Sequence, residues 1–151
     1  MKKIMFVCLG NICRSPMAEF VFKDLIEKEG VKDNFYVTSS ATCDEEIGNG
    51  VHYGTINKLK QMNVKIDYSK VAVQFKKEDY EFYDYIICME QKNIVNLLRI
   101  IGKDNKNKIS RLLDFTSNPR DIADPWYTGN FDKTYDDVLE GCKALIKHLN
   151  Y

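Results

Sequence analysis

The chain contains 151 residues, and its 22 Lys and Arg balance its 22 Asp and Glu, so the formal net charge at pH 7 is zero. This length predicts one domain over residues 1–151, and a hydrophobic fraction of 44% is typical of a globular protein. The neutral balance argues against nucleic acid or an acidic membrane as a partner, since both attract proteins with a basic excess.

The first half of the chain alternates between strand and helix patterns. The apolar run from Lys3 to Cys8 predicts a buried strand, and residues 35–39 predict a second one. Between them, apolar residues spaced three or four positions apart predict a helix that Gly30 ends. A weaker helical pattern covers residues 52–62. The face of the first helix comprises Ala18, Val21, Phe22, Leu25 and Ile26.

The second half repeats this alternation. Residues 83–89 predict a central strand, residues 109–113 predict a short fourth strand, and a helix between them ends at Gly102. Apolar positions from 135 to 149 predict a long final helix. Strands that alternate with helices predict an α/β fold, with a single doubly wound domain, a four-stranded parallel sheet and helices on both faces.

The segment from Cys8 to Pro16, with the sequence CLGNICRSP, connects the first strand to the first helix. N–H groups at the start of a helix bind anions such as phosphate, and positive surroundings favour the reactive thiolate of a cysteine. Arg14 adds a planar fork that holds two phosphoryl oxygens. We therefore expect Cys8 to be a nucleophile beneath a bound phosphate. The predicted phosphate-binding residues are Leu9, Gly10, Asn11, Ile12, Cys13, Arg14 and Ser15.

Several residues of this loop suit that geometry. Gly10 and Asn11 both tolerate a positive φ, so each can turn its N–H group inward. Ser15 suits an N-cap and Pro16 suits the first helical position, and the Ser15 hydroxyl can donate to the Cys8 sulfur. A cysteine at a strand end is more often a small buried hydrophobe. The prediction that Cys8 is a nucleophile therefore depends on the flanking strand, the glycine and the following helix.

The segment from Val7 to Pro16 resembles the signature of the low-molecular-weight protein tyrosine phosphatases. The resemblance continues through residues 39–42, 46–49 and 82–89, and it ends in the sequence ADPWY at residues 123–127. It implies a cysteine-dependent phosphatase that uses no cofactor.

The resemblance also implies roles for single residues. Asn11, Ser15 and Ser39 would support the loop through hydrogen bonds. Cys13 would form a reversible disulfide with Cys8 and so protect it from over-oxidation.

Expelling a phenolate from phosphorus requires a proton donor, and Asp124 is the candidate. Ligands of parallel α/β sheets bind beyond the carboxyl ends of the strands. Cys8 ends the first strand and residues 114–130 follow the fourth, so Cys8 and Asp124 can meet at one edge. Pro125 biases Asp124 towards an extended conformation. We expect Asp124 to protonate the leaving oxygen and later to take a proton from the attacking water.

The wall of the substrate cleft is predicted to contain Ile12, Glu45, Trp126 and Tyr127, because flat aromatic faces stack on a phenyl ring. Glu45 departs from the family, since many members carry an aromatic residue there. Residues 70–74 also depart, because they lack the His and Arg that many members have in this segment.

Three other activities remain open. Arsenate reduction on the same scaffold needs further cysteines, and although Cys88 is near the right place, position 95 is a valine. Protein-arginine phosphatases resemble this chain but typically carry Thr at the position of Ile12, whose bulk favours a phenyl ring. The third is a phosphate-binding or phosphocysteine carrier module without hydrolysis, against which Asp124 and the aromatic pair argue.

No metal is expected, because the only histidines are His52 and His148 and no C-x2-C pair occurs. The apolar stretch after Met1 is too short for a signal peptide. Five cysteines without a disulfide-rich composition favour the cytoplasm. The expected partners are phosphotyrosine-containing proteins, with inorganic phosphate or a similar oxyanion in the site.

Overall fold

A parallel sheet of four strands organises the chain, whose computed structural model describes residues 1–151. The strands are β1 (Lys2–Cys8), β2 (Phe35–Ala41), β3 (Tyr85–Cys88) and β4 (Ile109–Arg111). They lie in the order β2-β1-β3-β4, and every neighbouring pair is parallel.

Six α-helices surround the sheet, and Lys32–Asn34 and Leu112–Phe115 form short 3-10 helices. The α-helices are α1 (Arg14–Lys28), α2 (Tyr53–Gln61), α3 (Asp79–Phe82), α4 (Gln91–Ile101), α5 (Pro125–Thr128) and α6 (Phe131–His148). Helices α1 and α6 pack together against one face of the sheet, and α4 packs against the other. The predicted fold class is therefore confirmed. The sequence did not predict α3 and α5, because four residues are too few to show a helical period.

The central strand β1 alternates its side chains between two hydrophobic cores. Ile4, Phe6 and Cys8 face the larger core beneath α1 and α6, while Met5 and Val7 face the smaller core beneath α4. Because both faces are covered, the strand appears in the sequence as a continuous apolar run. This burial fixes the position of Cys8 at the carboxyl end of β1.

The start of α1 differs from the prediction. The helix begins at Arg14 and its N-cap is Cys13, which makes no side-chain capping bond. The prediction that Ser15 caps the helix and Pro16 opens it is wrong by two residues. The Ser15 hydroxyl bonds to Cys8 and Asn11 instead, so it does not cap the helix.

The fourth strand is shorter than predicted, because the chain turns into a 3-10 helix after Arg111. Leu112 and Leu113 are fully buried there. A side chain at Gly141 of α6 would collide with Leu112. The side chain of Leu112 therefore packs closely against α6 in the segment predicted to continue the strand.

The carboxyl ends of the four strands lie along one edge of the sheet. β1 leads into residues 9–13, β2 into residues 42–50, and β3 into Glu90 at the start of α4. The segment after β4 continues to Asp124 at the start of α5. These connections converge at this edge, where parallel α/β folds bind ligands. None of the helices has the length and apolar character needed to cross a membrane.

Candidate active site

A pocket of about 130 Å³ opens at the carboxyl end of β1. It brings together most of the residues that the sequence predicts for the site, from both ends of the chain. Asn11, Ser15 and Ser39 do not line it, because they lie buried behind the loop. The lining residues are Cys8, Leu9, Gly10, Ile12, Cys13, Arg14, Cys43, Glu45, Glu46, Asp124, Trp126 and Tyr127.

The loop between β1 and α1 turns at Asn11, whose φ is 59°. The expected positive φ is therefore present at Asn11, but Gly10 does not have one. A Cβ at Gly10 would lie 3.3 Å from the Cγ of Glu46. A larger residue at this position would therefore press against the Glu46 side chain, and the small size of glycine matters here rather than its freedom in φ.

Most N–H groups of the loop are free to bind an anion. The exception is the N–H of Asn11, which donates to the Cys8 sulfur, with a nitrogen–sulfur distance of 3.2 Å. The other N–H groups of the segment make no hydrogen bond within the protein. They belong to Leu9, Gly10, Ile12, Cys13, Arg14 and Ser15, and the last two also open α1.

The Cys8 sulfur sits at the base of this arrangement and is almost fully buried. Besides the N–H of Asn11, the Ser15 hydroxyl lies 3.1 Å from it. Both groups can donate hydrogen bonds to a sulfur that carries negative charge. The contact that the sequence predicts between Ser15 and Cys8 is confirmed.

A chain of buried hydrogen bonds determines which way the Ser15 hydroxyl points. Glu19 is only an acceptor when ionised, so the Ser39 hydroxyl donates to Glu19, at 2.6 Å. Asn11 must then donate to Ser39, at 3.0 Å, and it also donates to Ser15, at 2.7 Å. Because the Ser15 oxygen accepts from Asn11, its own proton is left for the Cys8 sulfur, at 3.1 Å, or for the carbonyl oxygen of Ser40, at 3.5 Å. The contact with Cys8 is the closer one.

Two further contacts hold this chain in place. The Val73 N–H donates to the Asn11 side-chain oxygen, at 3.2 Å, which fixes which end of the amide faces the serines. Lys23 donates to Glu19, at 2.6 Å. The chain therefore runs from a charged pair on α1 to the sulfur.

The Arg14 guanidinium is buried and tied to three parts of the chain. Its Nη1 donates to Glu90 and to the carbonyl oxygen of Ile122, the latter at 2.9 Å. Its Nη2 donates to Asp124 at 3.3 Å. Three of the five N–H donors of an arginine are thus used. The Nε–H and one Nη2–H, which form one edge of the fork, remain for an oxyanion.

Burial alone would lower the pKa of Arg14, but negative charge on Cys8, Asp124 and Glu90 outweighs it and raises the pKa above its ordinary value. The guanidinium is therefore always charged, which a phosphate-binding group requires.

Asp124 is the N-cap of α5, as one of its oxygens accepts from the N–H of Trp126 at 3.0 Å. Its φ of −78° and ψ of 114° confirm the extended conformation expected before Pro125. The other oxygen faces Arg14. The carboxylate is thereby held over the pocket with a fixed orientation.

The chemistry of this pocket agrees with the comparisons to known proteins. The profile of the family described as "Low molecular weight phosphotyrosine protein phosphatase" matches residues 3–151. The chain belongs to this family. The protein-tyrosine-phosphatase YfkJ of Bacillus subtilis is 40% identical over 148 residues, which cover 97% of this chain and 94% of YfkJ. The phosphatase of Rattus norvegicus is 38% identical, with the same two coverages.

Solved structures of the family have the same fold. The crystal structure of YfkJ superposes with a TM-score of 0.95 at 38% identity and covers 99% of this chain and 95% of that chain. A Drosophila arginine phosphatase superposes with a TM-score of 0.88 at 28% identity and covers 100% of this chain and 99% of that chain.

The outer wall of the phosphatase pocket is built from exposed side chains. Trp126 and Tyr127 lie in α5 with 56% and 78% of their surfaces exposed. His52 stacks between Tyr53 and Phe131 and meets the edge of Trp126, with ring centres 5.6 Å apart. This stack, which the sequence did not predict, fixes one side of the aromatic wall.

Three cysteines line the pocket, namely Cys8, Cys13 and Cys43. All five cysteines of the chain are free thiols. Burial raises the pKa of Cys13 to about 12, and the negative charge of Cys8 adds to this effect. Cys13 is therefore a neutral thiol near neutral pH. Cys43 is the only cysteine that is partly exposed.

Residues 70–74, which depart from the family pattern, still reach the back of the loop. Lys70 donates to the carbonyl oxygen of Ser39 at 2.8 Å, and Val73 holds Asn11 through its main chain. Burial lowers the pKa of Lys70 below its ordinary value, and the negative charge of Glu19 offsets part of this effect. The main chain of Val73 and the Lys70 ammonium thus support the loop from behind.

Sequence reasoning missed Glu19 and Glu90. Glu19 lies on α1 among apolar residues and is 5% exposed, and a charged residue within an apolar helical face is the signal that could have identified it. Glu90 follows β3, at the edge where ligands bind. No group of three or more His, Cys, Asp and Glu side chains is arranged to hold a metal ion.

Proposed function

We propose that this protein is a protein tyrosine phosphatase that hydrolyses phosphotyrosine through a phosphocysteine intermediate. The observation that carries the proposal is the arrangement around the Cys8 sulfur. Loop residues whose N–H groups have no partner within the protein, the Arg14 guanidinium and Asp124 all line the same small pocket.

In the first step, the loop N–H groups and the free edge of Arg14 hold the phosphoryl oxygens. The Cys8 thiolate attacks phosphorus, and the bond between phosphorus and the phenolic oxygen breaks. Asp124 gives its proton to that oxygen, so tyrosine leaves uncharged. A positioned acid of this kind accelerates such reactions by about 10²–10⁴.

In the second step, a water molecule attacks the phosphorus bound to Cys8. Asp124, now a carboxylate, takes a proton from this water. The phosphorus–sulfur bond breaks, and inorganic phosphate and the Cys8 thiolate result. The Ser15 hydroxyl and the Asn11 N–H stabilise the thiolate in the free enzyme, and Asn11 and Ser39 position Ser15.

The apolar and aromatic surface of the pocket favours phosphotyrosine over the alternatives. Ile12, Trp126 and Tyr127 can pack against a phenyl ring. The side chain of phosphoserine is too short to reach these residues when its phosphate lies at the bottom of the pocket. A guanidinium is more polar than this wall, which argues against phosphoarginine.

The other two activities are less consistent with the structure. Cys88 does not line the pocket and belongs to the smaller core, whereas Cys8 belongs to the larger one, so Cys88 is poorly placed to act as a resolving thiol for arsenate reduction. The position of Asp124 over the pocket supports hydrolysis rather than a phosphate carrier. Because all five cysteines are free, a reducing cytoplasm is the compartment that we propose.

The test compares rates on phosphotyrosine, phosphoserine and phosphoarginine peptides and on arsenate. Phosphotyrosine should be hydrolysed fastest, and Cys8→Ser should abolish turnover while retaining phosphate binding, because a serine hydroxyl stays protonated. Arg14→Lys should also lose turnover, since the point charge of an ammonium cannot replace the planar guanidinium. Equal rates on phosphoarginine, or turnover by Cys8→Ser, would refute the proposal.

A further inference from the structure

The active-site pocket continues into a second groove on the far side of Asp124. This groove, here called the α4 groove, has a volume of about 440 Å³ and extends along the start of α4 past Lys92 and Asn96. A substrate polypeptide whose phosphotyrosine fills the pocket therefore has space for a neighbouring side chain in the groove. The residues that line both cavities are Leu9, Arg14, Asp124 and Tyr127.

Every charged side chain that lines the α4 groove has an ion-pair partner except Lys92, although Glu90 and Asp124 share one cation. Arg14 pairs with Glu90 and Asp124, and Asp121 pairs with Arg111, which lies outside the groove. Lys92 is exposed and its ammonium pairs with no carboxylate. The groove thus offers one unpaired positive charge to a ligand.

The stability of α4 does not explain this lysine. Lys92 is the second residue of the helix, and the positive end of the helix dipole disfavours a cation there. A carboxylate in its place would stabilise the helix, so Lys92→Glu should fold normally.

The opposite rim of the pocket has the opposite charge. Glu45 lines the pocket, is exposed and has no cationic partner. Its neighbour Glu46 also lines the pocket and accepts a hydrogen bond from Asn49 at 2.7 Å. Unpaired charges of opposite sign therefore flank the position of the phosphotyrosine.

We propose that the substrate lies across Asp124 in one orientation, with an acidic residue in the α4 groove facing Lys92 and a basic residue facing Glu45. The proposal rests on the proposed function and names its substrate class: phosphotyrosine segments with opposite charges on their two sides. Exposed ion pairs contribute about 0.2–1 kcal/mol, so each contact should change kcat/KM by a factor of about 1.4 to 5. Salt should weaken both contacts.

The experiment uses two phosphotyrosine peptides of identical composition. One has Lys before and Glu after the phosphotyrosine, and the other has these two residues exchanged, so total charge cannot cause a difference. The ratio of their kcat/KM values is measured on the wild type, Lys92→Glu, Glu45→Lys and the double variant. Lys143→Glu is the matched control, because Lys143 is an exposed, unpaired lysine on α6, outside both cavities.

The wild type should prefer one peptide about twofold or more, each single variant should reduce this ratio, and the double variant should invert it. The control should keep the wild-type ratio. A ratio near one in the wild type, or an unchanged ratio in the double variant, refutes the subsite but leaves the proposed function standing. If neither peptide is hydrolysed, the proposed function itself fails.

Discussion

The Nη2 atom of Arg14 lies 3.3 Å from the Oδ2 atom of Asp124, although 110 positions separate the two residues in the chain. This contact joins the group proposed to hold the phosphate to the group proposed to move the proton. The second oxygen of Asp124 is fixed by the N–H of Trp126. The acid is therefore already oriented over the pocket.

Asp124→Asn should slow a substrate with a poor leaving group far more than one with a good leaving group. Hydrolysis of phenyl phosphate needs the proton that Asp124 supplies, so its kcat should fall by a factor of about 10²–10⁴. Hydrolysis of 4-nitrophenyl phosphate releases a stable anion, so its kcat should fall much less. Steady-state rates on both esters measure the difference, and equal slowing of the two would mean that Asp124 acts only through its contact with Arg14.

Glu19→Gln should make the Cys8 thiol less reactive, although Glu19 does not touch it. A glutamine amide can donate to Ser39, whose own proton then needs another acceptor. Turning the Asn11 amide around would offer its oxygen to both serines at the cost of the Val73 contact, and it would draw the Ser15 proton away from the sulfur. One hydrogen bond contributes about 0.5–1.5 kcal/mol, so the rate of Cys8 alkylation by iodoacetamide at neutral pH should fall about two- to tenfold.

The matched control for Glu19 is Asp137→Asn. Asp137 is also a buried carboxylate, pairs with Arg120 and Lys133, and lies outside the site on α6. This variant should lose stability but keep the wild-type rate of Cys8 alkylation. If both variants behave alike, Glu19 is a structural residue only.

Mild peroxide should join Cys8 and Cys13 in a disulfide. Peroxide oxidises the Cys8 thiolate to a sulfenic acid, the Cys13 sulfur then displaces the hydroxyl group, and water leaves. Thiol reductant should restore activity in the wild type. Cys13→Ser should instead lose activity irreversibly, because Cys8 proceeds to higher oxidation states.

Cys43→Ser tests the competing partner, since Cys43 also lines the pocket. This variant should recover as the wild type does, and mass mapping should find Cys8 linked to Cys13. Recovery that depends on Cys43 rather than Cys13 would assign the protective role to Cys43.

The protein should become less stable as the pH rises above about 9. Burial raises the pKa of the Cys142 thiol above its ordinary value of 9.0, so the folded chain keeps a proton that the unfolded chain has released. The free energy of unfolding then falls by about 1.4 kcal/mol per pH unit for such a group. The free energies of unfolding of the wild type and of Cys142→Ala are measured in urea at neutral and at alkaline pH. The wild type should be more stable at neutral pH by a larger margin than at alkaline pH. A margin that does not change with pH would contradict the prediction.

The meeting of Cys8 and Asp124 could be predicted from the sequence because it follows from topology. Apolar runs locate the strands, and the carboxyl ends of parallel strands share one edge. The start of α1 could not be placed as well. Ser15 has the side chain of a capping residue, and only the structure shows that its hydroxyl is used by Cys8 and Asn11.

The roles of Glu19 and Glu90 depend on distant contacts. Ser39 lies 20 positions from Glu19, and Arg14 lies 76 positions from Glu90. A glutamate in a helix or after a strand is ordinary in any sequence, since most are solvent-exposed. Their partners become known only when the packing of the sheet against α1 and α4 is known.

The three attachments of Arg14 have a consequence for folding. Its acceptors come from Glu90, Ile122 and Asp124, which the ribosome makes long after Cys8. A nascent or partly folded chain has the thiol but lacks the scaffold that orients its arginine. Turnover should therefore be among the last properties to return during refolding, and incompletely folded chains should not remove phosphate from unintended proteins.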